Sequence, residues 1–352
     1  MSGKIGVIIP SYGRPQALRR AADYWSHSSL PVLIVDGSPE PTLIKFAENI
    51  KYEHHPTSPM QVRILAAAKS YSTEYLVLCA DDDFFGLGAL KIAAEFLDRS
   101  PKFSAVQGWG GTFSYDSRTL NWNLPDYLSE VFEAIEDDPI RRMRSLFEPY
   151  RQIFYSVFRL QTFIDGFQSI QSTSSLFIQE INQNVVAALS GHVCSLPIFL
   201  NARDRTPGVS MLISPERRPF AEWILDPQTN ADRESWKHSV SGIAQKYHPS
   251  ISTAEIEVAL DDVLLGFTTI GSADRENFKT NLRNSVRGVA AKFEPISLKR
   301  KRWARSLNLA SKAEYPLGPD SPNHQGNIDY WLAAQQDWTL IRDVIVNNEP
   351  AI

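Results

Sequence analysis

Residues 75–85 read YLVLCADDDFF, an apolar run that ends in three consecutive aspartates. The apolar residues predict a short buried strand, which places Asp81, Asp82 and Asp83 at its carboxyl end. Apolar residues recur at helical spacing over 87–97, so we expect a helix to follow at once. A strand, a polar turn and a helix in this order are the repeating unit of an α/β sheet.

Two upstream stretches repeat this plan. An apolar run at residues 5–9 precedes the turn PSYGR, and another at residues 32–35 precedes the turn DGS. Strands that alternate with helices are typical of a mostly parallel sheet with helices on both faces, and such sheets bind ligands beyond the carboxyl ends of their strands. The sequence therefore predicts an α/β fold in which three polar turns converge on one edge of the sheet.

The pattern changes near residue 210. Before it, residues 126–165 predict an amphipathic helical stretch, and an i, i+4 apolar stripe that begins at Phe177 predicts a further helix. After it the sequence is mainly helical and ends in a helix near 328–346. We expect an α/β domain over residues 1–210 and a mainly helical C-terminal region over residues 211–352.

The composition excludes several classes of protein. The chain has 36 Lys and Arg against 40 Asp and Glu, a net charge of −4 that lacks the basic excess of a general nucleic-acid binder. Cys79 and Cys194 both lie in apolar runs, which argues against a disulfide framework. No apolar run approaches the roughly 20 residues that span a bilayer, and the N-terminus predicts a strand rather than a signal peptide. We therefore expect a cytoplasmic protein, or one bound peripherally at the inner face of a membrane.

Familiar catalytic motifs are absent. No G-x-G-x-x-G follows the first strand, which disfavours a dinucleotide-dependent dehydrogenase. The P-loop, the G-x-S-x-G elbow and the H-E-x-x-H zinc motif are also missing, and the seven histidines have no metal-ligand spacing. The aspartate triplet is therefore the strongest chemical signal in the sequence.

Three adjacent carboxylates repel one another, so convergence of the triplet requires a compensating cation. Hard oxygen ligands at such a site suit Mg²⁺ or Mn²⁺ that is shared with substrate phosphates. The alternative is that one aspartate caps the next helix while the others are solvated. For Asp36 the alternatives are a contact with a base or ribose and an ordinary turn. Tyr12 and Arg14 could stack on a base and pair with a phosphate, or lie on the surface.

The three motifs, taken in order, resemble one enzyme family. Residues 5–15 (IGVIIPSYGRP), 33–38 (LIVDGS) and 75–85 (YLVLCADDDFF) are similar to the nucleotide-sugar glycosyltransferases of the GT-A fold. The similarity is to the family 2-like branch, particularly its bacterial members with a DDDF signature, and it covers about residues 4–205. It implies a GT-A (Rossmann-like) fold and metal-dependent transfer of a sugar from a nucleotide-sugar donor to a glycan or lipid-linked glycan, with inversion, in bacterial surface polysaccharide synthesis.

The resemblance also assigns roles to individual residues. The donor contacts that it implies are Pro10, Ser11, Tyr12, Arg14, Asp36, Arg63, Asp81 and Asp82. Either Asp82 or Asp83 would be the direct ligand of Mn²⁺ or Mg²⁺. The family's turn usually has two aspartates where this chain has only Asp36, which leaves the contacts to the base open.

In this family an acidic residue at the head of a later helix acts as the general base. Glu180 is the best match, because the apolar stripe beside it holds its helix on the core, and Asp83 is the second catalytic candidate. The family's usual Glu-Asp pair is absent, since Ile181 follows Glu180. An ordinary surface glutamate is the alternative interpretation. The possible substitutes are Asp116, Asp126 and Asp165.

Three outlying features have both a functional and a structural interpretation. The arginines that follow the helix of Glu180 could bind a phosphate or be solvated: Arg203, Arg205, Arg217 and Arg218. Trp109, among glycines, could stack on a sugar from a flexible loop or pack in the core. The run KRKRWAR at 299–305 could contact anionic lipid, which suits a lipid-linked acceptor, or form a charged helix face.

Two other functions compete with the glycosyltransferase. A sugar-phosphate nucleotidyltransferase has the same architecture but usually opens with a glycine-rich loop, unlike SYGRP. A catalytically inactive GT-A scaffold would not need to retain three mutually repelling aspartates. The C-terminal region would shape the acceptor site or a homo-oligomer contact.

Overall fold

The computed structural model describes residues 4–116, 119–123, 132–148, 150–170, 176–206, 220–271 and 328–348. Within these residues the strands are β1 (Ile5–Ser11), β2 (Val32–Asp36), β3 (Ile50–His54), β4 (Tyr75–Leu78), β5 (Phe84–Phe85), β6 (Phe103–Asp116), β7 (Thr119–Asn123), β8 (Glu133–Ala134), β9 (Val157–Arg159) and β10 (His192–Asp204). The helices are α1 (Pro15–Ser26), α2 (Met60–Ser70), α3 (Leu87–Arg99), α4 (Pro139–Phe147), α5 (Leu160–Gln168), α6 (Leu176–Ser190), α7 (Phe220–Leu225), α8 (Asn230–Tyr247), α9 (Thr253–Gly271) and α10 (Ile328–Asn348).

The strands form one mixed sheet in the order β3-β2-β1-β4-β9-β6-β10-β5, with β7 paired to β6 and β8 paired to β10. The ladders β3–β2, β2–β1, β1–β4 and β6–β10 are parallel, whereas β9 runs antiparallel between β4 and β6. Most paired residues therefore lie in parallel ladders. The prediction of an α/β fold with a mostly parallel sheet and flanking helices is confirmed.

Each face of the sheet is covered by its own hydrophobic core. One core contains side chains of α1, α3 and α10, and the other contains side chains of α2, α4, α5, α6, α8 and α9. Alternate residues of β1 enter opposite cores, since Val7 and Ile9 lie in the first and Ile8 in the second. Burial on both faces explains why these strands read as continuous apolar runs.

The prediction of a helical stretch over residues 126–165 is wrong in part. The described residues contain the helices α4 and α5, but β8 and β9 interrupt them. Val157 and Phe158 of β9 point to opposite faces of the sheet and are both fully buried. Insertion between β4 and β6 therefore outweighs the local helical pattern of this segment.

The C-terminal region is mainly helical in its described parts, as predicted, and its helices pack on both sides of the sheet. α8 contacts α6 and α9 contacts α4, while α10 contacts α1 and α3. The predicted boundary at residue 210 lies outside the described residues, so the division into two domains stays a prediction. In the described part of the chain, no helix has the length and apolarity needed to cross a membrane.

Candidate functional site

The structure brings the three polar turns together at the carboxyl edge of the sheet. β1 lies between β2 and β4, so its last residues are next to both neighbouring turns. The Ser11 hydroxyl donates to Asp81 Oδ2 at 2.7 Å, and the backbone N–H of Gly37 donates to the Ser11 carbonyl at 2.9 Å. Ser11 therefore links the turn after β2 to the aspartates after β4.

Arg14 provides the positive charge nearest to the triplet. Its guanidinium forms an ion pair with Asp81, and its Nη1 donates to Asp82 Oδ2 at 2.6 Å. The turn that carries Arg14 contains Gly13, whose φ of 66° lies in the left-handed region that favours glycine. The Gly13 N–H donates to the Ser38 hydroxyl at 2.8 Å, so the first turn is also attached to the second.

Burial makes the ionised forms of the triplet costly. Burial, followed by the charge of Asp82, raises the pKa of Asp83 to about 8, while the hydrogen bond from the Asp204 N–H and the charge of Arg203 oppose the rise. Burial likewise raises the pKa of Asp81 to about 7, although Arg14 and Ser11 oppose this. The pKa of Asp82 is raised by burial as well, against the effect of Arg14. The cluster therefore tends to retain a proton near neutral pH unless another cation replaces it.

Two residues that the sequence analysis missed complete the cluster. The backbone N–H of Asp204, at the end of β10, donates to Asp83 Oδ1 at 3.0 Å. The Asp204 carboxylate accepts a hydrogen bond of 2.5 Å from Arg20 Nη2, which also donates to the Asp82 carbonyl at 3.2 Å. Asp204 is the last residue of β10, a strand that is largely apolar up to Leu200, and this was the signal available in the sequence.

The carboxylate of Asp36 is used inside its own turn. Its Oδ1 accepts from the backbone N–H of Ser38 at 2.8 Å and from the Ser38 hydroxyl, while its Oδ2 accepts from the Tyr52 hydroxyl at 2.8 Å. These hydrogen bonds show that Asp36 shapes its own turn, and its contact with a base or ribose stays a prediction. Tyr12 is 58% exposed and is available to stack on a ligand.

Arg63 is buried beneath the first two turns. It lies on α2, and its guanidinium donates to the carbonyls of Ser11, Val35 and Ser58. It packs so closely against Gly37 that a Cβ at that position would approach Arg63 Nη2 to 2.5 Å. Arg63 thus holds the backbone of both turns, which differs from the direct nucleotide contact that the resemblance implies.

Glu180 lies on α6, partly buried, and accepts a hydrogen bond of 2.5 Å from the Tyr150 hydroxyl. The substitute Asp165 is occupied elsewhere, because Lys246 and Tyr247 of α8 each approach Asp165 Oδ2 to 2.7 Å. The assignment of Glu180 as the general base stays a prediction. Asp126 lies outside the described residues, as does the side chain of Asp116.

The structure describes Arg203, Arg205 and Trp109 among the features with both a functional and a structural interpretation. Arg203 is buried in β10, and its charge lowers the pKa of Asp83, so it belongs to the aspartate cluster. Arg205 is exposed. Trp109 is 5% exposed within β6, and the glycines around it form part of that strand, so the packed interpretation holds. Arg217, Arg218 and residues 299–305 lie outside the described residues.

The carboxylate oxygens of the aspartate triplet suit a hard divalent cation that also binds substrate phosphates. Among the described residues, no group of three or more His, Cys, Asp or Glu side chains is arranged to hold a metal. Mg²⁺, however, is usually held by one or two carboxylates together with substrate phosphates and water. Asp83 fits this form best, because its Oδ1 accepts the Asp204 N–H and no hydrogen bond from the described residues reaches its Oδ2, whereas Asp82 is paired with Arg14.

The sequence matches no protein-family model and no curated protein. Among solved structures, S. aureus TarS aligns with 98% of this chain at 14% identity and a TM-score of 0.49, and the chain spans 54% of that TarS chain. TarS 1–349 in complex with UDP-GlcNAc aligns with 99% of this chain and 93% of its own length, at 14% identity and a TM-score of 0.49. The complex of TarS 1–349 with UDP gives 13% identity and a TM-score of 0.45. At these identities and TM-scores the similarity carries no functional argument for this chain.

Proposed function

We propose that this chain is a metal-dependent glycosyltransferase that moves a sugar from a nucleotide-sugar donor to a glycan or a lipid-linked glycan. The observation that carries the proposal is the buried aspartate cluster at the carboxyl edge of the sheet, where the pKa of Asp83 rises to about 8. Strongly perturbed carboxyls in such a place are typical of functional sites rather than of helix caps. Ligands of open α/β sheets also bind at this edge.

The first two turns are suited to hold the nucleotide. Tyr12 is exposed at the tip of the first turn and can stack on a base, while Asp36 and Arg63 fix the backbone around it. Arg14 is close enough to the triplet to exchange its carboxylate partners for a diphosphate, since guanidinium pairs well with either group. Ser11 and Pro10 complete the end of β1.

Asp83, with Asp82, would hold the metal, for which Mn²⁺ and Mg²⁺ are the candidates. A divalent cation supplies Lewis-acid stabilisation of a leaving diphosphate when it is bound. The protein's part is to keep Asp83 oriented through the Asp204 N–H and to keep the site largely dry. Binding of the cation should also displace the proton that Asp83 retains near neutral pH.

The transfer step needs a base for the acceptor. The acceptor hydroxyl attacks the anomeric carbon, the bond from that carbon to the phosphate oxygen breaks, and the leaving diphosphate keeps the electron pair. The hydroxyl proton passes to a carboxylate, for which Glu180 is the candidate, positioned by the Tyr150 hydroxyl. Attack from the face opposite to the leaving group gives inversion.

The acceptor side of the proposal draws on the C-terminal region. A lipid-linked glycan agrees with the cationic run at 299–305, which would contact anionic lipid at the inner face of a bacterial membrane. Such an enzyme would serve surface polysaccharide synthesis from the cytoplasm. The C-terminal helices would then shape the acceptor site or a homo-oligomer contact.

One observation favours a second candidate, an inactive binding protein. Arg14 already pairs with Asp81 and Asp82, and a retained proton offsets further negative charge, so the cluster can exist without a metal. In that case the protein would bind a nucleotide or sugar without turnover.

The experiment that tests the proposal measures products. Wild type and Asp83→Asn are incubated with Mn²⁺ and UDP-, GDP- or dTDP-sugars, with and without a mixture of glycan acceptors, and the released nucleoside diphosphate is quantified. The proposal predicts release from one donor class by wild type, stimulated by acceptor and lost in the variant. Release of pyrophosphate from a nucleoside triphosphate and a sugar phosphate would instead identify a nucleotidyltransferase. No release from any mixture would support the inactive binding protein.

A further inference from the structure

The C-terminal helix α10 brings a buried carboxylate to the start of α3. Asp337 is 6% exposed, and its oxygens accept hydrogen bonds of 2.8 and 3.0 Å from the Gly88 N–H and one of 3.4 Å from the Ala89 N–H. These residues lie about 250 positions apart in the sequence. The contact is therefore a specific tertiary interaction of the C-terminal region with the α/β domain.

Asp337 supplies a cap that α3 lacks locally. The residue before α3 is Gly86, which has no side chain to accept from the first N–H groups of the helix. A Cβ at Gly86 would approach Asp337 Oδ2 to 2.8 Å, so a local capping residue and Asp337 compete for the same space. A carboxylate at this end also complements the helix dipole.

The rest of α10 is docked firmly enough to hold Asp337 in place. Ile341, Val344 and Ile345 are almost completely buried in the core between α10, α1 and α3. At the end of the helix, Asn348 donates to Asp23 of α1 at 2.6 Å. The helix is thus attached near its middle by Asp337, at its C-terminal end by Asn348, and along one face by its apolar side chains.

The start of α3 is coupled to the aspartate cluster by a very short segment. Only Phe84, Phe85 and Gly86 separate Asp83 from α3. Phe84 and Phe85 pair with β10, and the Tyr24 hydroxyl of α1 donates to the Phe85 carbonyl at 2.5 Å. Because this segment is so short, a displacement of the start of α3 is expected to displace Asp83 as well.

We propose that Asp337 is a positioning residue for the aspartate cluster, and that α10 acts as a strap which sets the metal and nucleotide affinity of the site from the C-terminal region. This inference rests on the proposed function, because it requires that the cluster binds a metal with a nucleotide. Coupling between sites is reciprocal, so ligand binding at the cluster should in turn stabilise the docking of α10.

The test compares Asp337→Ala with Asp343→Ala, a control on the same helix whose side chain is half exposed. The affinity for Mn²⁺ with UDP, and with GDP and dTDP in parallel, is measured at pH 8, because burial raises the pKa of Asp337 to about 6 and the carboxyl is then ionised. We expect Asp337→Ala to weaken binding about fivefold to tenfold, in line with the loss of one cap, and Asp343→Ala to leave it unchanged. Hydrogen exchange of α10 amides should slow on ligand binding in wild type and not in Asp337→Ala.

The outcomes separate the inference from the proposed function. If wild type binds and Asp337→Ala melts earlier but binds equally well, the cap is merely structural and the inference is overturned. If wild type binds none of the nucleotides, the proposed function fails and the inference fails with it. If Asp337→Ala does not fold, Asp337→Asn takes its place, since asparagine keeps one capping oxygen. It should then weaken binding by about twofold, and unchanged affinity would overturn the inference.

Discussion

Asp83→Asn is expected to stabilise the metal-free protein while it removes activity. The folded carboxyl has a pKa of about 8 against 3.8 for an unperturbed aspartate. At pH 7 the folded chain therefore holds a proton that the unfolded chain releases, which costs about 4 kcal/mol of stability by linkage. Asparagine avoids this cost and can still accept the Asp204 N–H, but its buried NH₂ group loses roughly 1–3 kcal/mol of hydration. The expected net gain is about 1–3 kcal/mol.

The stability difference between Asp83→Asn and wild type should depend on pH. Because the folded pKa is raised, the contribution of Asp83 to stability is fully present below about pH 4 and is lost as the pH rises towards 8. The advantage of the Asn variant should therefore grow by about 3 kcal/mol between pH 5 and pH 7. Denaturant unfolding of both proteins in EDTA at these two pH values measures this change directly. Added Mn²⁺ should then stabilise wild type and leave the variant unaffected.

A variant that is less stable than wild type at pH 7, by the same margin as at pH 5, would refute this reasoning. Asp83 would then be ionised and well compensated in the folded protein. The raised pKa of Asp83, which is the main argument for a metal site, would then be wrong. Asp98→Asn, in the last turn of α3, is a matched control, because hydrogen bonds from Tyr75 and Lys4 lower the pKa of Asp98 rather than raise it. It should give no gain at pH 7.

Three further predictions concern the residues around the triplet. Arg14→Gln should weaken nucleoside diphosphate binding about tenfold or more in a direct titration, because the guanidinium that pairs with Asp81 is lost. Asp204→Ala should lower the free energy of unfolding by about 3–5 kcal/mol, since it leaves Arg20 as a buried charge without this carboxylate. Glu180→Gln should keep the donor affinity of wild type and lose transfer in a product assay.

The outcomes that contradict these three predictions are distinct. Unchanged affinity in Arg14→Gln would show that the arginine is only a structural counter-ion. A small loss of stability in Asp204→Ala would mean that water or another group compensates Arg20. A full rate of transfer in Glu180→Gln would show that another group accepts the proton.

The edge of the sheet was predictable because its information is local. Each of the runs that end at Ser11, Asp36 and Asp81 carries its own strand signal and its own polar turn, and parallel strands necessarily bring such ends together. The same reasoning could not distinguish a carboxylate that faces a ligand from one that fixes its own turn. The hydrogen bonds of Asp36 to Ser38 and Tyr52 decide this, and they depend on the pairing of β2 with β3.

The missed residues depend on contacts between distant parts of the sequence. Asp204 joins the cluster because β10 pairs with β5, and it lies 121 residues after Asp83. Arg20 is an arginine on an ordinary amphipathic helix until the fold places it between Phe84 and Phe113. β9 was missed for a similar reason, because its burial between two strands is decided by tertiary packing rather than by its own sequence.

The proposed function requires that the aspartate cluster binds a nucleotide sugar together with a metal. The most direct measurement is a thermal-shift panel of UDP-, GDP-, CMP- and dTDP-linked sugars, with and without Mn²⁺, on wild type and Asp83→Asn. A ligand at about 100 times its dissociation constant adds roughly 2.7 kcal/mol, which raises the melting temperature by several degrees. We expect such a shift for one nucleotide class, only with Mn²⁺ and only in wild type. A shift that persists without Mn²⁺ or in Asp83→Asn, or no shift with any donor, would contradict it.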